Sequence, residues 1–267
     1  MAAIDSASLP NRLVYMIQVV ELKGKILLLW MARFLFMTVA TFCQALTKNN
    51  AMYFRILHDE SSGELSYLLA DADAREAVLV DPRARDLPLL QSLLSERELR
   101  LRWVLRTHHH EPMMAHEPAL LAAMGAPIVQ GHCAGDVQPA VHGDMLAFGN
   151  EMVSVLATPG HTASCLSFSW RDRLFCGGLL AVDACPHQPY PAVPEDLWDS
   201  VRQRVFTLPD ETLLFAGHAH RARAVSTVLE QRRWHPFFAG LSRDEYLARV
   251  ATVPSSTRMM VTDHARH

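Results

Sequence analysis

The chain has 267 residues, 50% of them apolar and 20% charged, and 25 basic against 28 acidic side chains leave a formal net charge of −3. This balance excludes a disordered chain, which needs low hydrophobicity and high net charge, and it offers no electrostatic footprint for nucleic acid. Five cysteines stand far apart with no Cys-x-x-Cys pair. Neither a disulfide scaffold nor a thiolate zinc finger is expected, and the cysteine usage fits a reducing cytoplasm.

Residues 1–51 differ in texture from the rest and are expected to form an N-terminal extension ahead of one domain over 52–267. Residues 26–43 are an 18-residue apolar run with a single charge, Arg33. That length reaches the lower limit for a membrane span, roughly 17–25 residues, while Arg33 near the centre costs about 2.5–3.5 kcal/mol on insertion. Three readings fit: an extension upstream of a start at Met52, an anchor or interfacial helix oriented by Arg12, Lys23 and Lys25, and a packed soluble helix. A cytoplasmic protein is expected, with membrane association through residues 26–43 as the alternative.

From Met52 onward the periodicity becomes readable. Residues 53–57, 64–69 and 77–80 are short runs of aromatic and aliphatic residues broken by turn formers, as consecutive antiparallel strands would be. Leu87, Leu90 and Leu94 recur at helical spacing, and residues 101–105 read as a buried strand. Further on, a helix is predicted at 118–124 and strands at 127–130, 152–157, 165–170 and 173–176. A helix at 195–206, a strand at 213–216 and helices at 222–234 and 242–250 complete the pattern. Strands punctuated by helices, recurring in reduced form, predict an α/β fold with two sheets packed face to face and helices outside, a four-layer arrangement.

Histidine is the compositional outlier, with 14 residues. Three segments expected to be loops after strands carry it: Thr107-His-His-His-Glu-Pro-Met-Met114, Thr158-Pro-Gly-His-Thr162 and Ala216-Gly-His-Ala-His220. In an extended segment side chains alternate, so His108 and His110 fall on one side and can share an ion while His109 points away. The Pro-Gly turn can fold His161 back toward that pair. Three neutral imidazoles with an open fourth position form a catalytic zinc arrangement, able to bring bound water to a pKa near 7. Asp81 is expected to be a turn residue at a strand end, or else a partner that orients a ligating histidine. Cys165, Cys176 and Cys185 are expected to be buried and inert.

At these residues the sequence resembles the metallo-β-lactamase superfamily, and within it the persulfide dioxygenase and glyoxalase II-like group. The resemblance rests on Tyr67-Leu-Leu-Ala-Asp, Ala77-Val-Leu-Val-Asp-Pro82, Ala157-Thr-Pro-Gly-His-Thr162, Asp172-Arg-Leu-Phe-Cys-Gly177, Asp199-Ser-Val-Arg, Phe206-Thr-Leu-Pro-Asp210, and Gly217-His with Val225-Ser-Thr-Val228. It implies a four-layer αββα metallo-β-lactamase sandwich with the metal site at one edge between the sheets. The group's first metal motif, His-x-His-x-Asp-His, here reads His108-His-His110-Glu-Pro112-Met113, and its Gly-Asp-Ala-Leu reads Gly177-Gly-Leu-Leu180. The ligands expected at Pro112, Met113 and Gly178 are therefore missing. Glu111, His116 and Asp183 stand close in sequence to the gaps. Segments that in relatives hold glutathione read Cys185-Pro-His187-Gln and Gly217-His-Ala-His220, with Arg221 and Arg223 as candidates to compensate or else a solvated helix start.

These residues imply at most one metal, Fe(II) or Zn(II), held by His108, His110 and His161, with His218 as a catalytic proton shuttle or fourth ligand. The resemblance implies a small-molecule thiol derivative as substrate, glutathione-based in the relatives. Three functions follow as expectations: oxidation of glutathione persulfide, mononuclear thioester hydrolysis of the glyoxalase II kind, and a catalytically silent binding relative.

Overall fold

The computed structural model describes residues 52–108, 121–132, 138–180, 191–220 and 223–252. The segment of residues 26–43 lies outside them, as do His109, His110, Glu111, Pro112, Met113, His116, Cys133, Asp183, Cys185, His187 and Arg221.

The first sheet runs in the order β1 (Met52–His58), β2 (Leu65–Asp71), β3 (Glu76–Val80), β4 (Arg100–Leu105), β5 (Ile128–Gln130) and β6 (Gln138–Pro139). Its first two pairings are antiparallel and the rest parallel. The second sheet holds β7 (Met145–Phe148), β8 (Glu151–Ala157), β9 (Leu166–Trp170), β10 (Arg173–Gly177), β11 (Leu213–His220) and β12 (Arg223–Thr227), in reverse spatial order. There β10 and β11 are parallel and the other neighbours antiparallel. Parallel pairs need a crossover, which α1 (Leu87–Glu96) supplies between β3 and β4. Between β10 and β11 the crossover includes α2 (Pro194–Ser200) and the π-helical turn Val201–Val205; α3 (Val228–Trp234) and α4 (Arg243–Ala251) close the chain.

Alternation along the strands builds the layers. In β2, Tyr67 and Leu69 face the core between the sheets, while Leu68 and Ala70 face outward onto Leu90 and Leu94 of α1. Likewise Phe175 and Phe215 point inward, and Leu174, Cys176 and Leu214 point out onto Leu197, Trp198, Phe238 and Tyr246. Strands buried on both faces read as continuous apolar runs, as Tyr67-Leu-Leu-Ala70 within β2 does. Each fully buried Leu or Phe contributes about 1.5–3 kcal/mol of transfer free energy. The four-layer αββα sandwich expected from the sequence is the architecture found.

Two sequence expectations need correction. Residues 223–227 form strand β12 rather than the start of a helix, because Val225 packs into the intersheet core at the sheet edge and the helix begins only where Thr227 caps the backbone N–H of Glu230. His218 stands within β11 rather than on a loop, since the strand continues to His220 past an irregularity in its pairing with β12. The helix predicted at 118–124 is described only at its end, which Gly125 closes with φ 76°. Strands β6 and β7 were not expected; β7 alternates exposed and buried residues in only four positions, Met145 to Phe148.

Candidate metal centre

One edge of the sandwich is stitched between the sheets. The backbone N–H of Leu166, at the start of β9, donates to the carbonyl of Thr107 just after β4 (2.7 Å). The N–H of Ala219 in β11 donates to Gly63 O before β2 (2.7 Å), and Glu64 pairs with His218. The Tyr67 hydroxyl donates to Ala216 O, and burial pushes that phenol far above its ordinary pKa, so it remains a donor. His108, His161 and His218 all converge at this edge.

The rings of His108 and His161 meet edge to face with centroids 5.0 Å apart, and His218 lies 6.0 Å from His108. His161 and His218 are buried, only 2% and 3% exposed, while His108 is partly exposed beside them. His110 lies outside the described residues. Among those residues, no group of three or more His, Cys, Asp or Glu side chains is disposed to hold an ion by itself.

His108 is oriented by a relay. Asp81 accepts from the Thr107 backbone N–H and from its hydroxyl, each at 2.7 Å, and Thr107 Oγ1 lies 2.6 Å from His108 Nδ1. The hydroxyl has one proton and gives it to the carboxylate, so it accepts from Nδ1–H of His108. In the neutral imidazole that assignment leaves His108 Nε2 as the nitrogen with a free lone pair, the one able to ligate a cation. Asp81 is thus both of the things expected of it, a turn residue with φ 47° and the anchor of a histidine. A non-glycine residue in that region costs on the order of 1–3 kcal/mol, offset here by the two bonds to Thr107.

His161 follows Gly160, whose φ of 132° and whose contact with the Leu197 backbone leave no room for a Cβ. Its carbonyl accepts from Ala192 N–H (3.1 Å), and Pro159 O accepts from Ser200 Oγ (2.8 Å), so α2 pins the loop. On the ring's Nδ1 side stands Cys165 Sγ at 3.7 Å, itself accepting from Thr162 N–H. Burial pushes the Cys165 thiol up to about 11, so it is a neutral neighbour; Cys176 is pushed up to about 12. Both are buried, as expected.

Beneath the rings the chain is bare. A Cβ on Gly177 would lie 2.3 Å from Thr107 Oγ1, one on Gly178 would lie 2.5 Å from two atoms of the His161 ring, and one on Gly217 would lie 3.2 Å from His108 Cε1. The segment after this floor is tied down by His235, whose Nε2 bonds to Leu180 O at 2.9 Å while Nδ1 accepts from Phe237 N–H.

Arg223, a candidate substrate contact, is an exposed strand residue whose guanidinium is paired with Glu230. Sequence reading overlooked Thr107, although its place directly before His108 was the available signal. It also overlooked His235, which acts on Leu180 across 55 positions with no motif to mark it.

What this edge can do chemically is present the nitrogens of neutral imidazoles to a borderline cation beside two buried histidines. No family model matches the sequence. The chain is 32% identical over 200 residues to the human mitochondrial persulfide dioxygenase ETHE1, covering 72% of this chain and 78% of that protein. It is also 32% identical over 167 residues to a hydroxyacylglutathione hydrolase of Vibrio parahaemolyticus, covering 61% of this chain and 64% of the relative. Among solved structures, that of ETHE1 from Myxococcus xanthus superposes with a TM-score of 0.67 at 34% identity, over 75% of this chain and 91% of that one. A Staphylococcus aureus metallo-β-lactamase shares the fold, with a TM-score of 0.65 at 21% identity.

Proposed function

This chain belongs to the metallo-β-lactamase superfamily, in its persulfide dioxygenase and glyoxalase II group, and from that premise we propose a mononuclear metalloenzyme acting on a small thiol derivative. The domain over 52–267 carries the activity, and residues 1–51 are a separate extension. His108, His110 and His161 hold one Fe(II) or Zn(II), and the substrate is glutathione-based, as the relatives' names indicate for them.

The observation that carries the reading is the His108–His161 pair at 5.0 Å with its Asp81–Thr107 support. An imidazole whose far nitrogen is held by a hydrogen bond, here from His108 to a hydroxyl that is itself fixed by a carboxylate, is a better oriented ligand, and metal-binding histidines almost always have such an outer partner. When bound, the ion supplies Lewis acidity and, if it is iron, access to dioxygen chemistry. The chain's own part is orientation of His108 through Thr107, burial of His161 and His218, and a proton held at His218, 6.0 Å from His108.

The loss of a carboxylate at Gly178 favours a second reading, thioester hydrolysis with Zn(II), because a histidine-only set suits hydrolytic zinc, whereas the iron facial triad needs a carboxylate. Oxygen uptake on glutathione persulfide and hydrolysis of a glutathione thioester, each assayed with iron-loaded and zinc-loaded protein, separate the two. Activity that survives in His108→Ala would remove both. Among the described residues no helix is long and apolar enough to cross a membrane. Cytoplasmic placement, with or without membrane association through residues 26–43, stays part of the proposal.

A further inference from the structure

We infer that Gly178 is a positioning residue for His161, and that a carboxylate cannot be returned to position 178 while the imidazole keeps its seat. The inference rests on the proposed site but is carried by sterics alone. An ideal Cβ on Gly178 would lie 2.5 Å from His161 Cε1, 2.5 Å from Nδ1 and 2.7 Å from Cγ. Such distances require something to move. Cγ is the root of the ring rather than a flexible tip, so rotation about the last bond does not clear it.

Retreat of the whole residue is also blocked. Ala192 N–H and Val193 N–H hold the carbonyls of His161 and Gly160, Gly160 is seated on the Leu197 backbone, and Cys165 Sγ lies 3.7 Å from the ring's Nδ1. Gly178 is not among the glycines with left-handed φ, so backbone conformation does not demand glycine there. What excludes a side chain is the ring. The site has therefore closed over the missing carboxylate: His161 lies in the volume that a side chain at 178 needs, and the two-histidine-one-carboxylate set is not one substitution away.

The test is a double-mutant cycle on the full chain with two readouts, melting temperature and metal per chain after purification with iron or zinc supplied. Gly178→Ala should lower Tm by roughly 5 °C or more in the native background and by less than about 2 °C in His161→Ala, where the ring is gone. Gly177→Ala serves as the control: its Cβ would meet Thr107 and His108, so His161→Ala should not relieve its loss. Gly178→Asp, which restores the family's ligand type, should hold less metal than the native chain.

If Gly178→Ala fails to fold, recovery of the double variant as folded protein supports the inference, and failure of both overturns it. Equal Tm losses in the two backgrounds overturn it, as does, where the native chain binds metal, a Gly178→Asp protein holding as much of it or more. A native chain that binds no metal would end the proposed function yet leave the Tm cycle to decide the role of Gly178.

Discussion

Asp81 and Thr107, 26 positions apart, are joined twice: the carboxylate accepts the backbone N–H and the hydroxyl of the threonine, each at 2.7 Å. The threonine hydroxyl in turn meets His108, so the carboxylate acts on the imidazole without touching it. Thr107→Val keeps the shape and the N–H bond but deletes the hydroxyl. It should weaken metal binding about 10–100-fold, the usual range for outer partners of ligating histidines, and lower Tm by a few degrees because an Asp81 oxygen and His108 Nδ1 lose their partner. Chelator competition measures this; unchanged affinity would show that the relay does not orient His108.

Gly160→Ala addresses the loop that delivers His161. With φ at 132° and a Cβ 2.3 Å from Leu197 backbone atoms, the variant combines strain with overlap. A loss of about 3 kcal/mol or more is expected from urea unfolding. A loss below about 1 kcal/mol would mean that α2 is not what holds the loop.

Cys165 and Cys176 should resist alkylation in the folded protein at pH 8. Burial raises their thiols to about 11 and about 12, so the reactive thiolate is scarce and the sulfur is covered. Peptide-resolved mass spectrometry after iodoacetamide treatment reads each site separately. Fast labelling of Cys165 without denaturant would show that the His161 loop opens.

Asp71 joins the β2–β3 turn to the β7–β8 turn, accepting from the N–H groups of Asp73, Ala74 and Asn150 and from the Asn150 amide. Burial alone would raise its carboxyl, but these bonds outweigh it and hold the pKa below the ordinary aspartate value. A carboxyl depressed on folding contributes fully above its unfolded pKa, near 3.9, and its contribution is lost as pH falls through the folded value. Asp71→Asn should therefore cost about 1–3 kcal/mol at pH 7 and less at pH 3, measured by urea midpoints at both. An equal cost at the two pH values would contradict the ionic origin.

The sandwich was legible in the sequence because its signals are local. Residues 64–69 read as a short aromatic and aliphatic run bounded by turn formers, and Leu87, Leu90 and Leu94 show a helix. The histidine segments were legible for the same reason, since Thr158-Pro-Gly-His-Thr162 is a contiguous motif. Strand β12 was not, because Arg223–Thr227 runs into helix Val228–Trp234 without a break, and only the edge of the second sheet decides that it pairs. The glycine floor was read as a lost ligand. That Gly178 also makes room for His161 is a contact between residues 17 positions apart on different loops, which no composition or spacing encodes.

The measurement that bears most directly on the central claim is metal content per chain by mass spectrometry, on native protein purified without chelators and on His161→Ala. One ion per chain in the native protein and a near-complete loss in the variant is the predicted result, because a site of three imidazoles does not survive removal of a buried member. Two ions per chain, none, or one retained in His161→Ala would contradict a mononuclear centre built on His108, His110 and His161.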